Sequence, residues 1–260
     1  MELDLRDRVV LVTGGSRGIG RAVAQALVAE GAHVAICSRD AATCLEAAGE
    51  LGAHGFAADV GEDAAVSALV AHVIERFGRL DAVVNNAGRF GGGPVIELGD
   101  DALDEGLDTK VAGALRVVRH ARPHLSTSDR ASVVNVSGVT AEMVIPGAAV
   151  TALGNAGLLT LTAYLAHELR ADGVRVNAVV PGYTLTGVWA DRARALAEAE
   201  GLDFEQAKQA ILDRRGLGHA RWATAEEIAD VIVFLLSRAA RFVNGTALRV
   251  DGGQSPAVDY

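Results

Sequence analysis

A run of mostly β-branched residues, Arg8–Thr13, passes straight into Gly14-Gly15-Ser16-Arg17-Gly18-Ile19-Gly20 and then into an amphipathic stretch, Gly20–Glu30. Glycines at 14, 18 and 20 let the chain turn sharply from a buried strand into a helix and let backbone N–H groups approach a bound group closely. The first turn of a helix presents unpaired N–H donors and partial positive charge, so such a turn suits a pyrophosphate. The spacing G-x-x-x-G-x-G differs from the G-x-G-x-x-G dinucleotide fingerprint, so the turn has to be read with the rest of the chain.

The same alternation of apolar run and amphipathic segment repeats to the end of the chain, the pattern of a parallel sheet built from βα units. Strands are expected at Arg8–Thr13, His33–Ser38, His54–Ala58, Leu80–Asn85, Ser132–Ser137, Arg175–Val180 and Ala247–Val250. Helices are expected at Gly20–Glu30, Ala41–Leu51, Ala64–Phe77, a long Asp101–Leu125, Ala149–Arg170 and Ala225–Leu236. A mobile insertion rich in Ala, Glu and Arg is expected over about Leu185–Arg215. The fold class is therefore α/β: a Rossmann-like, doubly wound, seven-stranded parallel sheet with helices on both faces, a single domain over residues 1–260. Ligands of such sheets bind at the carboxyl ends of the strands.

Composition narrows the partners. A net charge of −9 argues against a nucleic-acid backbone or an anionic membrane surface. Cys37 and Cys44 are too few for a disulfide framework and are expected to be reduced thiols of a cytoplasmic protein. No basic segment followed by an apolar run opens the chain, and apolar stretches such as Val231–Leu236 are far shorter than a membrane span.

Asn85-Asn86-Ala87-Gly88 follows the fourth strand, Asp59-Val60 follows the third, Val176-Asn177-Ala178-Val179-Val180-Pro181-Gly182 spans the sixth, and Val250-Asp251-Gly252-Gly253 lies near the end. Together with the glycine turn these segments make the chain resemble the short-chain dehydrogenase/reductase family over essentially its whole length. The resemblance implies a dinucleotide along Gly14, Ser16, Arg17, Gly18, Ile19 and Gly20, with adenine against Asp59 and Val60. It places Asn86, Ala87, Gly88, Pro181 and Gly182 beside the cofactor, has Asn85 stabilise the central strand, and sets Thr186 at the nicotinamide carboxamide. An acidic residue ending the second strand would favour NAD; here Ser38-Arg39 stands there, and Arg17 lies in the turn. Two guanidinium forks suit a 2′-phosphate, so NADP is expected over NAD. Asp40 works against this assignment, and the alternatives are an Arg39 that merely lies in solvent and a turn that binds no cofactor.

Enzymes of that family use an Asn, a Ser, and a Tyr-x-x-x-Lys step, in which a nearby ammonium draws the phenol toward neutrality for proton transfer. Aligned on the flanking motifs, these positions hold Lys110, Gly138, Thr151 and Asn155. The standard proton relay is expected to be absent, with Ser137 turned to the opposite strand face. Lys110, Tyr183 and Glu142 are the candidate substitutes. His120 and His124 sit four apart, with a solvated helix end as the plain alternative to a metal pair. Gly91-Gly92-Gly93-Pro94 is expected to border the substrate, 185–215 to form its lid, and Trp189 and Trp222 to line a pocket or pack beneath that lid.

Three functions remain open from sequence. The chain is an NADP-dependent oxidoreductase on a small carbonyl or alcohol. Or it is a non-catalytic cofactor sensor or pseudoenzyme subunit of an active paralogue. Or it runs cyclisation, dehydration or isomerisation in the same cleft. The resemblance implies a homo-oligomer, a dimer or tetramer, with a hetero-oligomer as the alternative.

Overall fold

Val9–Thr13 (β1), His33–Ser38 (β2), Ala82–Asn85 (β4), Ser132–Val136 (β5) and Arg175–Pro181 (β6) are almost wholly buried, as strands covered on both faces must be. With His54–Ala57 (β3) and Ala247–Val250 (β7) they form one parallel sheet in the order β3-β2-β1-β4-β5-β6-β7. The computed structural model of the chain describes residues 2–88, 93–217 and 219–255.

Strand alternation sorts the core into two layers. Val10, Val12, Val34, Ile36 and Val84 face Gly18–Ala29 (α1), Ala41–Leu51 (α2) and Ala225–Leu236 (α9). Val9, Leu11, Ala35, Val83 and Val133 face the other layer, which contains Asp63–Phe77 (α3), Gly113–Leu125 (α5) and Ala149–Glu168 (α6). The chain reverses direction across the sheet between β1 and β4, and the glycine turn and Asn85–Gly88 leave from these two neighbouring strands. The crevice of a doubly wound sheet opens at such a switch point.

The expected long helix is interrupted. Asp100–Leu107 (α4) runs into a π turn, Asp108–Ala112, before α5 begins. The wider turn carries Lys110, and π turns recur at functional sites. The expected insertion is folded into two helices, Gly187–Glu200 (α7) and Phe204–Asp213 (α8). A capping box, Asp203 with Gln206, starts the second, a signal the sequence carried. Helical residues Ala149–Asp172 are long and apolar enough to cross a membrane by length and composition alone. Here the run lies on the sheet, with Leu165, Ala166 and Leu169 buried in the core.

Candidate functional site

The glycine turn is held by the neighbouring strand. Gly14 and Gly18 have φ of 64° and 55°, the left-handed region that a side chain disfavours. A Cβ on Gly20 would lie 2.4 Å from the Gly14 carbonyl oxygen and 2.5 Å from Asn86 Nδ2. Asn86 Nδ2 donates to the carbonyls of Thr13 and Gly14, both at 3.0 Å. Thr13 Oγ1 in turn accepts the N–H groups of Asn86 and Ala87 at 3.0 Å. These bonds fasten the two motifs together and leave the first turn of α1 open.

That turn forms one wall of a cleft of about 620 Å³, and every expected cofactor position except Gly20, Pro181 and Gly182 lines it. Arg17 and Arg39 stand exposed at its mouth, and neither forms an ion pair among the described residues. Asp40, the expected counterweight, caps α2 instead: its carboxylate accepts the Thr43 N–H at 2.7 Å, and hydrogen bonds from the Thr43 side chain and N–H hold it below the usual carboxylate range. Asp59 accepts the Gly61 N–H at 2.9 Å, which fixes the turn after β3. Gly182 is backed by the terminal segment, where Gln254 accepts the Tyr183 N–H at 2.7 Å.

Of the positions expected to carry catalysis, Lys110, Thr151 and Asn155 come together in this cleft. The Lys110 side chain runs between Gly154 and Gly88, and its Nζ donates to the Val136 carbonyl at 2.6 Å. Burial pushes its ammonium down to about 8. Asn155 donates from Nδ2 to Thr140 Oγ1 at 2.8 Å. A Cβ on Gly138 would meet that same Nδ2 at 2.8 Å, so Asn155 fills the space a larger residue at 138 would need. Ser137 corrects the strand-face expectation. β5 ends at Val136, so strict alternation no longer governs Ser137, which lines the cleft and donates to the Asn155 carbonyl at 3.0 Å.

The two other substitutes are placed differently from expectation. Tyr183 is not on the rim; it is 4% exposed and lines a second chamber of about 190 Å³ beside the cleft. Burial pushes its phenol up, against the pull of Arg215 and Arg192, which is the wrong direction for proton transfer near neutrality. Glu142 is engaged by Arg249 at 2.7 and 2.9 Å, so it is not a bare base facing the cleft. Trp189 lines the second chamber, whereas Trp222 packs behind Tyr183 and donates to the Lys208 carbonyl at 3.2 Å. His120 lies 3.1 Å from Asp63, and no group of three metal-ligating side chains gathers among the described residues. Gly91 and Gly92 of the expected substrate-side loop lie outside the described residues; the Gly93 N–H donates to the Gly147 carbonyl at 3.2 Å.

A family model described as enoyl-(acyl carrier protein) reductase matches residues 14–255. The chain belongs to the short-chain dehydrogenase/reductase family. A 3-oxoacyl-(acyl-carrier-protein) reductase FabG of Staphylococcus aureus is 32% identical over 249 residues, 94% of this chain and 96% of that protein. The L-sorbose reductase of Gluconobacter frateurii, solved with NADPH and L-sorbose, superposes with a TM-score of 0.94 at 30% identity, covering 99% of this chain and all of that one. A variant actinorhodin polyketide ketoreductase solved with NADPH gives 0.86 at 32% identity, covering 95% and 97%.

Within this family frame, sequence reasoning missed a buried polar relay beneath the cleft. Asn85 donates to Asn135 Oδ1 at 2.9 Å across β4 and β5, and Asn135 donates to Thr162 Oγ1 of α6 at 2.9 Å. Two asparagines at the same height of neighbouring strands, Asn85 and Asn135, were the available signal. In the sequence Thr13 is simply the last residue of the first strand, yet its hydroxyl organises the start of Asn85–Gly88.

Proposed function

We propose that this chain is an NADP-dependent oxidoreductase acting on a small carbonyl or alcohol, with Lys110 as the proton-transferring group in place of the family's tyrosine. The reading rests on Lys110: a part-buried ammonium in the cleft, with no carboxylate partner among the described residues, held at about 8. A general acid or base works best when its pKa lies near the operating pH.

The residues fit the cofactor. The left-handed Gly14 and Gly18 and the open first turn of α1 would hold the pyrophosphate, with Ser16 and Ile19 alongside. Arg17 and Arg39, without an ion pair among the described residues, would take the 2′-phosphate, and two structural neighbours hold NADPH. Asp59 and Val60 would flank adenine, and Thr186 would meet the carboxamide. When bound, NADPH supplies the hydride. Lys110 Nζ keeps one N–H on Val136, which aims it, and has two more donors for the substrate oxygen and for water. In reduction, the proton leaves Nζ for the substrate oxygen and is replaced from water. In oxidation, the neutral amine takes the alcohol proton. Helices α7 and α8 would act as the lid that limits water.

The test is NADPH oxidation across a carbonyl panel. The reduction rate is expected to be level below pH 8 and to fall above it. Lys110→Met is expected to cost about a hundredfold or more, the usual worth of positioned acid–base catalysis. A Lys110→Met enzyme as fast as the unaltered chain would overturn the assignment.

Gly138 and Asn155 favour a second reading. Asn155 and Thr140 close the space beside Gly138, as they would in a non-catalytic sensor or subunit of an active paralogue. Tight NADPH binding with no turnover of any carbonyl would support that reading instead. Non-redox chemistry from Glu142 lost its support when the carboxylate proved to be held by Arg249. Pairing with a second copy or a paralogue would use the outer face of α6, where Leu153 and Tyr164 are 50% and 66% exposed.

A further inference from the structure

The chamber beside the cofactor cleft is charged unlike the rest of the molecule. The chain has a net charge of −9, yet no Asp or Glu is among the described residues lining this chamber, and Arg192 and Arg215 are. Neither arginine forms an ion pair among the described residues. Arg192 lies over the Trp189 ring at 4.8 Å, and Arg215 reaches the Pro146 carbonyl at 3.4 Å. Arg192 also lines the cofactor cleft, as do Ser137, Thr151, Asn155 and Thr186, so the two cavities adjoin along these residues.

An independent observation points to a ligand here. Tyr183, 4% exposed, lines the chamber, and its hydroxyl has no hydrogen-bond partner among the described residues. Buried hydroxyls are paired in nearly all folded proteins, so an orphan hydroxyl on a residue that lines a cavity points to a bound molecule as the missing partner. Ile145 and the face of Trp189 supply the apolar part of the wall.

We propose that this chamber selects a small oxo acid, a carbonyl compound with a carboxylate and a short apolar body. The carboxylate would be held by the Arg192 and Arg215 guanidinium forks, and a polar group would meet the Tyr183 hydroxyl. A planar fork of donors matches a carboxylate in two parallel bonds. The proposal rests on the oxidoreductase reading for the reaction, but not for the binding. A chamber of about 190 Å³ suits a small acid.

The chain carries its own reporter. Trp189 and Trp222 are its two tryptophans, with ring centroids 5.0 and 5.6 Å from that of Tyr183. The experiment titrates the full chain, with and without NADPH, and reads tryptophan fluorescence and calorimetric heat. The probes are 4-methyl-2-oxopentanoate, the neutral 4-methylpentan-2-one, and inorganic phosphate. The oxo acid is expected to bind at least about tenfold tighter than the ketone, the worth of one charge-assisted hydrogen bond. Arg192→Gln and Arg215→Gln should each remove most of that advantage, and Tyr183→Phe should weaken the oxo acid by a smaller factor.

Arg192 is exposed and Arg215 lies at the edge of α8, so both variants keep the core intact. Equal binding of oxo acid and ketone, phosphate binding as tightly as the oxo acid, or no response to the oxo acid overturns the proposal. NADPH binding without an oxo-acid response would sink this inference alone. An oxo-acid response in a chain that ignores NADPH would sink the cofactor reading and leave this one standing.

Discussion

Lys110 carries the residue-scale argument because its environment reaches both stability and chemistry. Burial holds its ammonium at about 8 in the folded chain, against 10.5 when unfolded. Between these values the unfolded chain binds the extra proton, so folding stability rises with pH across that window. Below about pH 8 both states are protonated, and the cost of burying the charge is constant. Denaturant unfolding should therefore show the unaltered chain gaining on Lys110→Met as pH rises from 8 to 10.5. A difference that stays flat over this range would mean that Nζ keeps its solvent and is an ordinary lysine. The position could be read from sequence; the carbonyl it meets could not, because Val136 is far along the chain and a π turn sets the approach.

At the scale of elements, the site depends on how one loop is fastened to another. Asn86 satisfies two carbonyls of the glycine turn and so ties it to the segment after β4. Asn86→Ala should cost roughly 1–3 kcal/mol, the penalty for leaving part-buried polar groups unpaired. A chemical-denaturation shift near zero would show that water takes over. Periodicity and glycine spacing made the strands and most helices legible within a residue or two, since a strand buried on both faces has little choice of composition. What stayed hidden depends on contacts between distant segments. The early end of β5, which frees Ser137 from strand alternation, and the ion pair of Arg249 with Glu142 are two such cases. The capping box at Asp203 is different, because Asp203 and Gln206 lie within one helical turn of each other and could have been read.

For the whole molecule, the end of the sheet away from the cleft is secured by one buried carboxylate. Asp81, 2% exposed, accepts the Val9 N–H at 2.9 Å and bonds from Ser128 at 2.6 Å and Arg79 at 2.5 and 2.9 Å. Burial alone would raise its pKa, but the Arg79, Ser128 and Val9 bonds outweigh burial and hold it below 3.8. A depressed carboxylate contributes stability above its unfolded value and loses it as pH falls through the folded one. Acid unfolding should therefore steepen below pH 3.8 in the unaltered chain and be shallower in Asp81→Asn. At neutral pH that variant should be less stable by roughly 1–3 kcal/mol. Identical acid limbs would remove Asp81 from the account. With this end fixed, substitutions in the cleft can be assayed without unfolding the sheet.

The most direct test is calorimetric titration of the chain with NADPH and with NADH, repeated on Arg39→Ala. The account predicts that NADPH binds more tightly, by about tenfold or more, and that removing Arg39 erases most of the difference. NADH binding as tightly as NADPH would contradict the role of Arg17 and Arg39. No binding of either would contradict the cofactor site itself.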